Sequence, residues 1–268
     1  EHHLPVPAAF GPADVNMNAP RLFTDSFYLL FLSTMASFGI DAYAFSLRYV
    51  SKPDILNFHI NMIKSTCDLY NETIAIRQAQ GVFVQAPSVE VTKEVSFVEK
   101  TDFLHGLIGQ KRSFISSEVM IVFGGILIDI LWRALSTGFG QTAENNEVKD
   151  YMFKGKDIAS GHLKKFADVL IKEDIPVPSF SESFVTDSTI APYSDKLIMN
   201  FMMNFIDFVM NVKGIGITSS RRNDLKSMFA QFEAVNLMYA EDGLKILIDN
   251  GWMEQPPQVV DHKELAPV

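Results

Sequence analysis

Cysteine is nearly absent from the 268 residues: Cys67 stands alone, so no intrachain disulfide can form and no thiolate metal cluster can be built within one chain. Cys67 reads as a small packed residue, and its scarcity points to a reducing, cytoplasmic setting. Positive charge is also short. With 23 Lys and Arg against 32 Asp and Glu, the net charge is −9, which argues against a nucleic-acid partner because phosphate binding needs clustered cations. The adjacent basic pairs near helical stretches, Arg221-Arg222 and Lys164-Lys165, read as helix-end or solvated-face charge. Long apolar runs are missing too: Val119 to Ile128 is broken by Asp129 and falls short of the ~20 residues of a membrane helix. Glu1-His2-His3 leads into a Pro-rich turn and not into a signal-peptide core. The expectation is a chain with no membrane segment. Nor is there a serine elbow or a phosphate-binding glycine loop. Gly214-Ile215-Gly216 ends a helical pattern without a preceding strand, and Cys67 has His59 on its own helix but no third partner.

What the sequence has is internal repetition. Leu4-Pro5-Val6-Pro7 through Ala19-Pro20 to Asp25 returns as Ile175-Pro176-Val177-Pro178 through Ala191-Pro192 to Asp195, and Tyr70-Asn71-Glu72 with Gly81 returns as Tyr239-Ala240-Glu241 with Gly251. Both echoes join a connector to a helix, which predicts a tandem duplication. A hydrophobic content of 47% suffices for two modest cores.

Helical spacing predicts six helices. Thr24 or Ser26 caps a run through Phe27, Leu30, Phe31 and Met35 that ends near Tyr49, and Pro53 opens a second run that stops at the left-handed cap Gly81. Residues 82–115 read as a linker. Four further patterns follow at about 116–142, 145–174, 195–218 and 222–250, with Ser116 and Glu118 at the first start and Gly251 closing the last. Short loops make the first pair and the last pair of these four antiparallel hairpins, whereas the roughly twenty residues around Pro176, Pro178 and Pro192 can span ~66 Å and cross the bundle. A single long crossover is the ferritin-like arrangement. The expected fold is therefore all-α: a complete ferritin-like four-helix bundle over 116–251, preceded by a two-helix half-repeat over 1–81 and followed by a tail over 252–268. The apolar hairpin of Phe27, Phe31, Phe38, Phe45, Ile60 and Ile63 cannot bury its face alone.

The segments Asn18-Ala19-Pro20-Arg21-Leu22-Phe23, Thr186-Asp187-Ser188-Thr189, Ser194-Asp195-Lys196-Leu197, Tyr239-Ala240-Glu241-Asp242-Gly243, Asn250-Gly251-Trp252 and Glu254-Gln255-Pro256-Pro257 carry a resemblance over essentially the whole chain. It resembles the tandem ferritin-like bacterial proteins of unknown function found chiefly in spore-formers. The resemblance implies two four-helix units, of which the first here lacks its first two helices, and it brings no catalytic role.

Ferritin-like bundles build di-iron or di-manganese centres from one Glu on each of two helices and Glu-x-x-His on each of the others. No Glu-x-x-His or Asp-x-x-His occurs on the predicted bundle helices; Asp157 lies five residues before His162, on a different face. The stripe Ile198, Met202, Phe205, Val209 and Val212 turns Asp207 outward, and Ala159, Leu163, Phe166 and Leu170 do the same for Asp157. Asp129 reads as a helix-surface partner of Arg133, and Glu118 as a capping group. Tyr239, matched to Tyr70, reads as a packing anchor with its hydroxyl on a connector, and Asp25 and Asp195 as helix-start carboxylates. His162 is the one interior-leaning binding candidate. No cofactor is expected, with iron or manganese at His162 and oxidoreductase or storage chemistry as the alternative. The leading expectation is a non-enzymatic protein that self-associates through residues 24–81, with Met199, Met202, Met203 and Met210 as an adaptable surface.

Overall fold

Proline and glycine punctuation set the helix ends. The computed structural model describes residues 7–89, 94–106, 111–180 and 183–260; Leu4, Pro5 and Val6 of the first echo lie outside them. The six long helices are α1 (Asp25–Leu47), α2 (Pro53–Ala79), α3 (Ser116–Thr142), α4 (Asn146–Ile171), α5 (Asp195–Ser219) and α6 (Asn223–Asp249). Thr24, Asn145 and Ser194 cap α1, α4 and α5 through side-chain oxygens. Gly81 and Gly251 take the left-handed conformation at φ 68° and 66°, and each lets the next amide reach back to Arg77 or Leu247. Ser116 does not cap α3: the cap position is Ile115, whose amide donates to the Glu118 carboxylate at 3.2 Å.

The protein is all-α. Helices α3 to α6 form a four-helix bundle in which α3 packs on α4 and α5, and α6 on α4 and α5. Asp195 at the start of α5 accepts from the Glu144 and Asn145 amides at the start of α4, so the connector between α4 and α5 runs the length of the bundle and these two helices are parallel. That carboxylate serves the donors of α4 and not those of its own helix. Helix α3 is long and apolar enough to cross a membrane, as is α1; α3 is mostly enclosed by its neighbours, whereas α1 is mostly not.

Counterparts recur at a shift of 170 residues: Asp25 and Asp195, Pro53 and Asn223, and Ala79 and Asp249 bound matching helices. The two connectors pair reciprocally at that shift. Asn16 N donates to Pro192 O and Thr186 N to Leu22 O, while Ser194 N donates to Asp14 O and Thr24 N to Phe184 O. Each bond in these two pairs is the other with the segments exchanged, the signature of a local two-fold relation. The relation continues into the helices, where Phe31 meets Phe201 at 5.9 Å between ring centroids and Phe38 meets Phe208 at 4.4 Å. Leu22 and Phe23 fill the space over Gly138 of α3, where a Cβ would stand 2.6 Å from the Phe23 ring. At this shift Tyr239 matches Leu69 and not Tyr70, so the repeated tyrosine is one position out of structural register.

One end of the bundle is closed by charge. Glu118, fully buried, accepts from Arg112 in a two-pronged pair at 2.7 and 2.9 Å and from the Arg221 and Arg222 amides at 2.9 and 3.0 Å. Arg222, expected at a solvated face or helix end, is buried at the start of α6 between Glu173 and Asp224. Burial pushes the Glu118 and Asp224 carboxyls up, but the Arg and amide donors outweigh it, holding Glu118 below its ordinary 4.5 and Asp224 at about 2. Both folded values lie below the unfolded ones, so their stabilisation is complete above about pH 4.5 and is lost as pH falls, Asp224's between about 4 and 2. Accordingly, Glu118→Gln is expected to lower stability by about 3 kcal/mol at pH 7 in urea titrations. Its deficit relative to the parent should shrink as the pH is lowered toward 3; a pH-independent deficit contradicts the assignment.

Candidate functional site

Along α5 the apolar stripe Met202, Ile206, Val209 continues, four residues on, to Lys213, and helical period alone therefore carries a lysine into the bundle. Lys213 is fully buried. Its Nζ lies 2.7 Å from Asp129 Oδ2 on α3, 3.5 Å from the Gly125 carbonyl, and over the Phe166 and Phe232 rings at 4.8 and 5.6 Å. Asp129 is also fully buried; Arg133, one turn on, is exposed and takes no part. The surface-pair reading of Asp129 is thus corrected: α3 is enclosed on nearly all sides, so a residue one turn away on the same helix is not the nearest cation. His162, on α4, comes to the same place, Nδ1 3.7 Å from Asp129 Oδ2, its ring centroid 4.0 Å from that of Phe232.

Helix α6 supplies Glu233 and, one turn later, Asn236. Glu233 acts electrostatically on Lys213, and burial pushes its carboxyl above the ordinary value against that attraction. Burial pushes the Lys213 ammonium down, opposed by Asp129 and Glu233. All four helices thus send a polar group to mid-bundle, between one apolar cluster around Trp132, Met202 and Tyr239 and another around Val122, Phe166 and Phe229. Buried polar atoms without a hydrogen-bond partner collect here: Asp129 Oδ1, His162 Nδ1, Glu233 Oε2 and both amide atoms of Asn236. Next to the layer, Tyr239 stacks on Tyr151 at 4.1 Å and 10° and donates to the Tyr151 carbonyl at 3.1 Å, so its hydroxyl reaches α4 and not a connector. Burial raises both phenols.

Asp157 and Asp207 are exposed, as their facing requires. Met199, Met202 and Met203, expected on an adaptable surface, are buried instead, because α5 turns that side into the bundle; Met210 is half-buried. No group of three His, Cys, Asp or Glu that suits a metal ion occurs among the described residues. The donor set tests the same way. The atom facing Asp129 and His162 is the Lys213 ammonium, which cannot ligate while charged and repels a divalent ion, so the residues present do not fit a metal. Lysine was the residue missed, because a charged side chain on a helical stripe is ordinarily read as a boundary; its spacing from Met202, Ile206 and Val209 was the signal.

The family model described as "Protein of unknown function (DUF3231)" matches residues 1–95 and 102–265. The chain belongs to this family. None of the curated proteins matches it. Among solved structures it is similar in fold to a protein of Bacillus halodurans C-125 described as a "putative spore coat protein", with 15% identity and a TM-score of 0.53 over 56% of this chain and 98% of that one.

The Lys213–Asp129 pair generates a stability test. Lys213→Met leaves a buried carboxylate uncompensated and is expected to cost about 3–5 kcal/mol in urea titration, whereas Lys213→Met with Asp129→Asn should recover most of that loss. Equal stability of the single and double variants contradicts the pairing.

Proposed function

We propose that this is a non-enzymatic protein on a tandem ferritin-like frame, working by self-association through the α1–α2 hairpin within residues 24–81. The observation that carries the reading is a comparison of counterparts 170 residues apart. Ile55, Phe58, Leu69 and Ile76 on α2 are 41, 55, 37 and 43% exposed, where Leu225, Met228, Tyr239 and Ile246 on α6 are 1, 9, 0 and 6%. The positions stay apolar while their cover is lost. On α1, Leu32 is exposed where Met202 is fully buried.

The same comparison supports a second copy of the hairpin as the cover for this face. Helices α5 and α6 bury it against a second antiparallel hairpin, α3–α4. Two copies of α1–α2, set face to face about a two-fold axis, would make four helices and close a bundle in the same way. Burying four such side chains per copy removes several hundred Å² of apolar surface from water, each side chain worth about 1.5–3 kcal/mol before association costs. Under this reading the polar layer has no counterpart in the hairpin: Tyr43, Ile63 and Thr66 stand where α5 and α6 have Lys213, Glu233 and Asn236. The hairpin is then an associating surface without a polar layer of its own. The net charge of −9 favours a protein partner over nucleic acid. Assembly into a layer is one setting in which such association would serve, in keeping with the coat description of the B. halodurans protein.

Sedimentation equilibrium over a hundredfold concentration range tests this. The parent is expected to form a dimer, and Phe58→Glu with Ile76→Glu to remain monomeric without loss of helical circular dichroism. A parent that is monomeric throughout, or that stays monomeric and partitions into phosphatidylcholine vesicles through α1, overturns it.

A further inference from the structure

We infer that the Lys213 ammonium is a resident cation standing where a ferritin-like bundle would hold a metal ion, and that it both completes the core and keeps divalent ions out. A ferritin-like metal site draws side chains from four facing helices at mid-bundle, and here Asp129, His162, Lys213 and Glu233 come one from each of α3, α4, α5 and α6. The helical turns that would carry Glu-x-x-His are present with altered residues. On α4 the position three before His162 is Ala159, fully buried, and on α6 the position three after Glu233 is Asn236, also fully buried. Asp129, His162 and Glu233 are of metal-ligating type, while α5 presents a cation, Lys213, where the ferritin-like set has a carboxylate.

Charge bookkeeping explains why the layer holds together. Removing carboxylates from water is costly unless a cation compensates them at close range. Lys213 does this from inside the chain: Nζ is 2.7 Å from Asp129 Oδ2, attracts Glu233, and is flanked by the faces of Phe166 and Phe232, which favour a cation. His162 Nδ1, 3.7 Å from the same oxygen, is near enough to share a ligand with Asp129 but has no hydrogen-bond partner of its own. Asp129 Oδ1 and Glu233 Oε2 are likewise unpartnered. These are ligand-type atoms left without partners around a position that the Lys213 ammonium fills, as a lysine in the place of a metal ion would leave them.

One residue, at position 213, thus decides between lysine and metal. The probe is Co(II), added to the full chain stripped with chelator and read by ligand-field absorption and thermal midpoint. Lys213→Glu places a carboxylate beside Asp129 and His162. It is expected to bind one Co(II) per chain, with the midpoint rising by roughly 5–10 °C at a hundredfold excess over Kd, and to lose both responses when His162→Ala is added. The parent is expected to show neither response. Two results overturn the inference: a parent that binds one Co(II) in a His162-dependent way, or a folded Lys213→Glu that binds none. Should Lys213→Glu not fold even with Co(II) present, the His162-dependent titration of the parent decides the matter alone, since only a parent closed to the ion is consistent with a resident lysine.

Discussion

A carboxylate and an ammonium held 2.7 Å apart, both out of water, are the constraint around which the bundle is arranged. Neither charge can be left without the other, so α3 and α5 must keep their relative register, and His162 and Glu233 bring α4 and α6 to the same level. Apolar packing on either side of this layer tolerates sliding more readily than a buried ion pair does. The layer thus ties the four helices together at one level, while the clusters around Trp132 and around Phe229 supply the bulk of the burial.

The second organising relation is the reciprocal pairing of the two connectors. It places α1 beside α5 with like phenylalanines in contact and docks the hairpin over Gly138 of α3. The consequence is asymmetric. Helices α5 and α6 have a hairpin to bury their faces, whereas among the described residues no second hairpin covers α1 and α2, and Ile55, Phe58 and Ile76 are exposed. Between counterparts 170 residues apart, residues of the same chemical kind thus take a core role in one hairpin and a surface one in the other.

Much of the architecture was legible because its signals are local. Thr24, Pro53, Gly81 and Gly251 mark helix ends through backbone conformation and capping, which need no knowledge of neighbours. Loop length separated hairpins from the long crossover on the same ground. The site was legible only in part. His162 was found because it flanks an apolar stripe, but Asp129 was paired with Arg133 because sequence distance stood in for spatial distance, and Lys213 went unread because its partner lies 84 residues away. The methionines were misplaced for a related reason: an apolar residue on an amphipathic helix serves core or surface equally well until its neighbour is known. Arg222 belongs to the same class, whereas Glu118 does cap, accepting from the Ile115, Arg221 and Arg222 amides; what its sequence neighbours do not show is the burial that comes from α3, α4 and α6 meeting at one end.

The measurement that bears most directly on the resident cation is a crystal structure of the parent grown with Mn(II), with anomalous diffraction recorded for manganese. A resident lysine requires Lys213 Nζ in hydrogen-bond contact with Asp129 and no anomalous peak among Asp129, His162 and Glu233. A manganese peak at that position, with the Lys213 side chain turned away from Asp129, would contradict it.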